Sequence, residues 1–390
     1  MEYTIKTINE LCTKITDGSH FSPEHETDGQ YPMYSVKDMD YNNFSNADCK
    51  MIGQAMFEKL SKADCRPLKN DILIAKDGSY LKCAFKVNED LNACILSSIA
   101  ILRPNLKNID PDYFVYLMRT KSIKGAMSNY VSGSALPRII LSDFKKMKLK
   151  MISSLPTQQK IASILSAYDN LIQNYKKQIE SLQTAASELY KEWFVRFRFP
   201  GWKNAKFENG IPERWKVERI GENCSIKIGG DVPEENSETK DEKHRYPIYS
   251  NGINEDGFYG YTDTFKISES SVTISARGTV GFVCLRREPY YPIVRLICLI
   301  PRKELGVFYL YHSLKYADLD GNGTSQQQLT APMVSKRKIV IAEEKLIEKF
   351  NSNAKLIYDK IDLLKLQITN LTQQRDLLLP RLMSGKLEVK

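Results

Sequence analysis

The sequence lacks the features that mark a membrane protein or a disulfide-stabilised one. It has no hydrophobic run close to the roughly 20 residues needed to span a membrane, and its N-terminus does not resemble a secretory signal peptide. Only four histidines accompany eight cysteines, and no two cysteines form a Cys-x-x-Cys pair. This scarcity argues against a zinc site and favours reduced, mostly buried thiols. We therefore expect a cytoplasmic protein.

The common signatures of catalysis are also missing. There is no Gly-x-x-x-x-Gly-Lys-Ser/Thr phosphate loop and no Gly-x-Gly-x-x-Gly after a strand. The Asn/Asp-Pro-Pro-Tyr/Phe motif of enzymes that methylate a flipped adenine is absent as well. His20 and His25 flank Pro23 and Glu24, but a histidine in a turn is more often a polar surface residue than a metal ligand. We predict no catalytic residue, no metal site and no cofactor in this chain.

Length and charge set broad limits on the organisation. A chain of 390 residues is too long for one ordinary core and suggests two or three domains. Hydrophobic residues make up 42% and charged residues 26%, as in soluble globular proteins. The 56 Lys and Arg residues exceed the 47 Asp and Glu residues, giving a net charge of +9. This moderate excess fits an anionic partner such as nucleic acid, but many proteins with that balance bind none.

Two heptad patterns predict long helices. The first begins at Pro156 and stops before Pro200-Gly201, and its length of about four heptads is typical of coiled-coil packing. Its apolar positions are Leu165, Tyr168, Ile172, Tyr175, Ile179, Leu182, Ala186, Leu189 and Trp193. The second follows Glu343, with Phe350, Ala354, Ile357, Ile361, Leu364, Ile368 and Leu371. A long core helix of one large domain is the alternative interpretation of the first pattern.

The chain is internally duplicated. Residues 31–35 (Tyr-Pro-Met-Tyr-Ser) recur as 246–250 (Tyr-Pro-Ile-Tyr-Ser), and residues 71–79 align with 271–279. The interval from Gly133 to Tyr168 equals that from Gly323 to Tyr358, so the passage into each helix has a fixed length. Each copy is therefore a lobe followed by a helix.

These patterns predict an α+β fold. We expect two mixed α/β lobes with antiparallel strands, separated by a long antiparallel two-helix coiled coil and related by a pseudo-twofold internal repeat. The predicted domains are a first lobe at 1–153, a central helical spacer at 154–199, a second lobe at 200–341 and a C-terminal helical spacer at 342–390. Strands are expected at 71–75, 95–102, 272–275, 281–285 and 294–300, and short helices at 111–119 and 307–314. The apolar heptad positions of each helix form a stripe, called its seam below. Alternatively, each seam packs on its own lobe, or the seams pair between two chains.

Loops after the predicted strands are suited to contacting DNA, because a backbone N–H and a cation can approach a phosphate together. In the first lobe the candidates are Thr16, Asp17, Gly18, Ser19, His20, Lys76, Gly78, Ser79, Tyr80, Ser134 and Arg138. In the second lobe they are Arg277, Gly278, Thr279, Thr324, Ser325, Gln326, Gln327 and Gln328. Gln can pair with adenine and Arg with guanine in the major groove. Any one loop could be an ordinary polar turn, but recurrence at matched positions favours DNA contact.

The chain as a whole resembles the specificity (S) subunit of type I restriction–modification enzymes. The matching segments are 155–161 (Leu-Pro-Thr-Gln-Gln-Lys-Ile), 192–201 (Glu-Trp-Phe-Val-Arg-Phe-Arg-Phe-Pro-Gly), 211–215 (Ile-Pro-Glu-Arg-Trp) and 379–387 (Leu-Pro-Arg-Leu-Met-Ser-Gly-Lys-Leu). Residues 17–20 and 277–279 are similar to its target-recognition domains. The first lobe departs from the second, since Lys76-Asp77-Gly78 stands where the second has Ala276-Arg277-Gly278.

The resemblance implies a non-catalytic subunit that recognises double-stranded DNA. It would carry two methylating (M) subunits and, in the full complex, two restriction (R) subunits, with S-adenosylmethionine on the M subunits and ATP and Mg²⁺ on the R subunits. Each lobe would read one half of a bipartite, asymmetric target, and the helices would set the unread spacer. The alternatives are a protein-interaction scaffold that binds no DNA and, less favoured by the missing motifs, a nuclease or methylase of unfamiliar type.

Overall fold

The computed structural model describes residues 2–45, 49–77, 83–130, 138–317 and 328–389. It divides into two compact units, one made of Met1–Tyr175 with Gln367–Lys390 and the other of Lys176–Leu366. Each of the two long helices has one part in each unit. The domains predicted from the sequence, in contrast, give these helices segments of their own at 154–199 and 342–390. No helix in the described part of the chain is apolar enough over its length to cross a membrane.

The first unit combines short strands with short helices and the first half of a long helix. Its strands are Tyr3–Thr7 (β1), Cys12–Asp17 (β2), Tyr31–Tyr34 (β3), Lys50–Ile52 (β4), Ile72–Ala75 (β5), Ala84–Lys86 (β6), Cys94–Ile95 (β7), Ile99–Pro104 (β8) and Lys148–Ile152 (β9). Its helices are Ile8–Leu11 (α1), Gln54–Lys62 (α2), Pro111–Arg119 (α3), Lys121–Ser128 (α4), Leu141–Lys146 (α5) and the start of Leu155–Tyr190 (α6).

Three sheets organise these strands. The main sheet has the order β2-β8-β5-β6 with antiparallel neighbours, and β1 pairs antiparallel with β9. The third sheet, β4-β3-β7, contains a parallel pair between β3 and β7. The prediction of antiparallel strands alone is therefore wrong at this point. The chain between β3 and β7 is long enough for the crossover that parallel strands require.

The central strand β5 is buried on both faces. Ile72 and Ile74 belong to one hydrophobic core, which includes α3, while Leu73 and Ala75 belong to another. The alternation of strand side chains places successive residues on opposite faces, so an all-apolar strand suits this position. Burying each large side chain contributes roughly 1.5–3 kcal/mol. The strand therefore anchors whatever loop follows it.

The second unit repeats this plan. Its strands are Phe207–Glu208 (β10), Ile211–Pro212 (β11), Lys216–Arg219 (β12), Cys224–Ile228 (β13), Tyr246–Tyr249 (β14), Phe258–Thr262 (β15), Ser271–Ile274 (β16), Val283–Arg286 (β17), Tyr291–Pro292 (β18), Ile297–Pro301 (β19) and Lys338–Ile341 (β20). Its helices are Ile220–Asn223 (α7), Val307–Tyr316 (α8), Ala331–Lys336 (α9), the second half of α6 and the start of Glu344–Met383 (α10).

The strand order of the second unit matches that of the first. Its sheets are β13-β19-β16-β17, β15-β14-β18 and β12-β20, and β14 again pairs in parallel with β18. The small hairpin β10-β11, which precedes β12, has no counterpart among the described strands of the first unit. The predicted duplication is confirmed, and the helix predicted at 111–119 coincides with α3.

The predicted seam positions of α6 and α10 are all buried or half-buried. In the first unit, Leu165 of α6 shares a core with Leu382 of α10, and Asp169, one turn later, contacts Arg375. In the second unit, Ala186 packs in one core with Phe350 and Ala354. Within the first unit the sequence order of contacts is opposite in the two helices, as expected of an antiparallel pair. The seams also join the cores of their own lobes, so both predicted modes of packing occur together.

A buried carboxylate lies in the seam of the first unit. Tyr116 Oη donates to Asp169 Oδ2 at 2.8 Å, Arg119 Nη1 lies 3.3 Å from the same oxygen, and Arg375 Nη1 donates to Oδ1 at 2.6 Å. Burial and the neighbouring carboxylate raise the pKa of Tyr116, so its hydroxyl stays protonated and donates. Arg119 also donates to the carbonyl of Tyr41 at 2.6 Å. The apolar heptad pattern gave no sign of this network.

The corresponding carboxylate of the second unit is much more open. Asp359 pairs with Arg287 and accepts a bond from Lys355 Nζ at 2.7 Å, with 42% of its side chain exposed. The preceding residue, Tyr358, is buried, and its Oη lies 3.2 Å from Nε2 of His312. Burial, and then Lys315, lower the pKa of His312 to about 3, so the ring is neutral.

We predict that Asp169→Asn destabilises the protein by about 3–5 kcal/mol, because the buried guanidinium of Arg119 loses its carboxylate and that of Arg375 keeps only the exposed Asp376. The repeat equivalent, Asp359→Asn, is the matched control and should cost far less stability, since its carboxylate is exposed to solvent. Urea unfolding of the full chain, followed by circular dichroism, measures both. Equal midpoints for the two variants would contradict the structural role assigned to Asp169.

Candidate nucleic-acid interface

Two predicted DNA-contacting loops meet beside the end of β5. Lys76 and Asp77 follow this strand directly, and the N–H of Ile139 donates to the carbonyl of Lys76 at 3.0 Å. Nε of Arg138 lies 3.1 Å from Oδ1 of Asp77, and 43% of the Arg138 side chain is exposed. The structure thus brings together the loop after β5 and the end of the loop that precedes α5. An acidic and a basic group stand side by side there.

The second unit has the same arrangement with different side chains. The N–H of Leu329 donates to the carbonyl of Ala276 at 2.9 Å, which repeats the bond between Ile139 and Lys76. Arg277 Nη2 donates to Oε1 of Gln328 at 3.1 Å. Arg277 is exposed and Gln328 half-buried. The position filled by an acid–base pair in the first unit is filled here by an arginine–amide pair.

Lys76 is not placed as its prediction required. Its side chain is fully buried, and Nζ lies 2.8 Å from Oδ2 of Asp17, which is 9% exposed. A phosphate contact would require Lys76 to leave this pair and strand a buried carboxylate. We therefore correct the interpretation of Lys76 and Asp17 as surface contacts. Their ion pair joins the end of β2 to the end of β5.

Gly18 is a glycine for steric reasons. A Cβ atom at this position would lie 2.1 Å from the carbonyl oxygen of Ile95, and one at Gly229 of the second unit would lie 2.6 Å from that of Ile293. Only glycine permits such a close approach of two backbones. Ser19 is buried too, and its N–H donates to the carbonyl of Ile95 at 2.8 Å. The backbone at Gly18 and Ser19 therefore packs against the end of β7.

The remaining predicted contacts divide into three groups. His20, Arg277, Gly278 and Thr279 are exposed, and Thr16 is half-buried within β2. Gly278 has φ of +69° with open space around it, as suits the tip of a tight loop. Outside the described residues lie Gly78, Ser79, Tyr80, Ser134, Thr324, Ser325, Gln326 and Gln327.

The structure adds one residue that the sequence analysis missed. Asn251 accepts a bond from the N–H of Ala276 at 2.7 Å and donates through Nδ2 to the carbonyl of Val294 at 2.5 Å. It therefore fixes the loop of Arg277 against the turn after β18. The only signal in the sequence was an Asn-Gly pair directly after the repeated 246–250 segment, which marks a turn but not this bridge.

The interface offers hydrogen-bonding groups and no metal cage. Among the described residues, no group of three or more His, Cys, Asp or Glu side chains could hold a metal ion. Nδ1 of His25 accepts a bond from the N–H of Met51 at 3.1 Å, whereas His20 lies 3.2 Å from Asp17. Arg–amide and Arg–carboxylate groups can instead pair with base edges in the major groove. Direct readout of DNA fits this set of donors and acceptors.

Comparison with known proteins gives a consistent result. The family model for the type I restriction modification DNA specificity domain matches residues 1–184 and 212–375. A protein named as a type I specificity subunit of Mycoplasma pneumoniae is 30% identical over 240 residues, which cover 59% of this chain and 63% of that protein, less than two thirds of its length.

Two further relatives extend the match. The specificity subunit of the type I restriction enzyme MjaIX from Methanocaldococcus jannaschii is 27% identical over 303 residues, covering 72% of this chain and 69% of the relative. The crystal structure of a type I restriction–modification S subunit from M. genitalium has a TM-score of 0.61 at 19% identity, covering 98% of this chain and 96% of that one. The likeness to that structure shows a shared fold.

We predict that Lys76→Ala lowers the stability of the chain by about 3–5 kcal/mol, because Asp17 is left as a buried, poorly compensated charge. Arg277→Ala removes an exposed side chain and should change stability by no more than about 0.5 kcal/mol. Chemical unfolding of the full chain distinguishes the two. A Lys76→Ala protein as stable as the parent would restore Lys76 as a candidate surface contact.

Proposed function

The chain belongs to the family of type I restriction–modification DNA specificity domains, and we propose on that premise that each of its units reads one half of a bipartite DNA target. The observation that carries the proposal is the pair of matched loop sites. The same backbone hydrogen bond occurs within each unit, whereas the side chains beside it differ. One framework thus presents two different sets of base-reading groups.

The two half-sites should differ from each other. In the first unit Asp77 can accept from cytosine N4, and Arg138 can donate to guanine. In the second unit Arg277 can donate to guanine, with Gln328 holding its guanidinium in place. An asymmetric target follows, since identical half-sites would need matching side chains. The scaffold alternative is not favoured, because both units match a DNA specificity domain.

Affinity should come from both units acting together. Binding of one unit raises the local concentration of the other at its half-site. Contacts to several phosphates, helped by the net charge of +9, should make binding fall steeply as salt rises. The protein would thus bind DNA strongly only where both half-sites are present at the right spacing.

The helices would determine that spacing. With 36 residues, α6 has a length of about 54 Å at 1.5 Å per residue. This exceeds one turn of DNA, about 34 Å. We propose that the number of residues in α6 and α10 sets the number of unread base pairs between the half-sites.

The chain would act without chemistry of its own. Its relatives are specificity subunits, and the proposal assigns methylation to two M subunits that bind S-adenosylmethionine. Two R subunits with ATP and Mg²⁺ would complete a restriction-competent assembly. The exposed faces of the long helices, which take no part in the seams, are the surface we propose for docking the M subunits.

Cells that carry this chain and its M subunit are expected to show adenine or cytosine methylation in a split, asymmetric motif. Single-molecule methylome sequencing measures the motif directly, and cells lacking only this chain are the control. A continuous or palindromic motif would contradict the proposal. So would a motif that persists in the control cells.

Deleting residues 183–186 should change the spacer and leave both half-sites intact. The deletion removes about 6 Å of helix, which corresponds to about two base pairs. It places Leu182 three positions before Leu189, so the seam keeps steps of three or four. The matched control replaces Gln183 and Thr184 with alanine and keeps the helix length. Methylome sequencing reads out both variants; altered half-sites with an unchanged spacer would contradict the role of the helix as a ruler.

A further inference from the structure

The turn between β18 and β19 has an unusual backbone. Val294 has φ of +52° and Arg295 has φ of +60°, so two consecutive non-glycine residues adopt the left-handed conformation. A β-branched residue there is a steric outlier. Such strain persists only where the surrounding structure imposes it, and it clusters at binding sites. The turn therefore calls for a reason beyond connecting two strands.

Three hydrogen bonds impose this conformation. The N–H of Val294 donates to the carbonyl of Gly230 at 2.8 Å, and that of Arg295 to the carbonyl of Gly229 at 3.0 Å. The carbonyl of Val294 accepts from Nδ2 of Asn251 at 2.5 Å. Because Asn251 also binds the N–H of Ala276, the strained turn is tied to the loop of Arg277 through one side chain.

The first unit builds the same place differently. By the strand correspondence, Ser97 and Ser98 replace Val294 and Arg295, and neither has a positive φ. Ser98 is used internally: its carbonyl accepts from the N–H of Lys76 at 3.0 Å, and its hydroxyl accepts from the N–H of Val36 at 3.1 Å. In the second unit Asn251 makes the bond to the loop after the central strand. The backbone carbonyl of Arg295 is therefore not needed for the bond that the carbonyl of Ser98 makes in the first unit.

Both side chains of this turn lie on the surface. Val294 is 48% exposed, which is high for an apolar residue, and Arg295 is exposed beside it. Within the described part of the chain, the Arg295 guanidinium makes no ion pair, in contrast to Arg287 of the same unit. An exposed apolar group next to a cation suits a base edge, since valine methyls can contact a thymine methyl and arginine can bind guanine O6 and N7.

We propose that the turn of Val294 and Arg295 is a base-reading element of the second unit, with Asn251 as the residue that positions it beside the loop of Arg277. The proposal rests on the DNA-reading function proposed above and names residues for it. Arg295 reads guanine in the second half-site, and Val294 packs against a neighbouring thymine methyl. The first unit has no such element, which adds to the difference between the half-sites.

The test uses the full chain with its M subunit in cells and reads the methylome. Arg295→Ala should relax the second half-site at one position, so that sites with another base there are methylated about tenfold or more above the parent level, while the first half-site is unchanged. Arg302→Ala is the matched control, because Arg302 is also exposed but lies beyond the opposite end of β19. It should leave the motif unaltered.

Two further variants separate reading from folding. Val294→Gly removes the methyl groups and relieves the strained backbone, so the unfolding midpoint should stay the same or rise while discrimination at the second half-site falls. Asn251→Ala keeps both reading side chains but frees the turn, and it should lose discrimination at the positions read by Arg277 and Arg295 together.

Several outcomes would overturn the proposal. A motif unaffected by Arg295→Ala would remove the turn from base reading. A uniform loss of DNA binding with a shallower salt dependence, measured with the purified complex, would make Arg295 a phosphate contact instead. A parent methylome without a bipartite motif would overturn the proposed function itself. A bipartite parent motif that remains unchanged in the variants of the turn would overturn only this inference.

Discussion

The first unit depends on one buried carboxylate. Asp169 of α6 is bound by Tyr116 and Arg119 from the direction of α3 and by Arg375 of α10, so a single charge joins three helices. Burying an ion pair costs more than its attraction returns unless the geometry is close to ideal. Only one register of α6 against α10 supplies that geometry, which lets a polar group specify the pairing of otherwise apolar seams.

The second unit meets the same packing problem with aromatic rings. Phe194 lies edge-on to Tyr309 and Phe350, at centroid distances of 4.7 and 5.3 Å, and Tyr190 stacks near His312. Edge-to-face contacts favour specific orientations and add to the burial of large apolar surfaces. A neutral His312 fits among these rings, whereas a charged one would not. The duplicated frame therefore tolerates two different solutions at its helix seam, one ionic and one aromatic.

The sequence predicted what depends on period and repetition. Heptad spacing located the seams, and the short helix expected at 111–119 coincides with α3, because local patterns determine these features. It failed where tertiary burial decides. Lys76, two positions before Gly78, and Arg277, directly before Gly278, both follow a buried strand, yet one side chain is buried against Asp17 and the other faces solvent. No local pattern predicts the burial of Lys76, since its partner Asp17 lies at the end of β2, far away in sequence. Gly18 was likewise expected to contact DNA, whereas its backbone packs closely against the carbonyl of Ile95.

The backbone and the side chains of the loop after the central strand are constrained to different degrees. The loop after the central strand is held by a main-chain bond in both units, from Ile139 to Lys76 and from Leu329 to Ala276. Main-chain bonds place few demands on the identity of the side chains around them. An acid–base pair and an arginine–amide pair can therefore occupy the same position without moving the strands beneath. A residue that secures the frame, such as Gly18, cannot vary in this way, because a Cβ atom there would lie 2.1 Å from the carbonyl oxygen of Ile95. At this position the side chains thus differ between the units, whereas the backbone bond beneath them is the same.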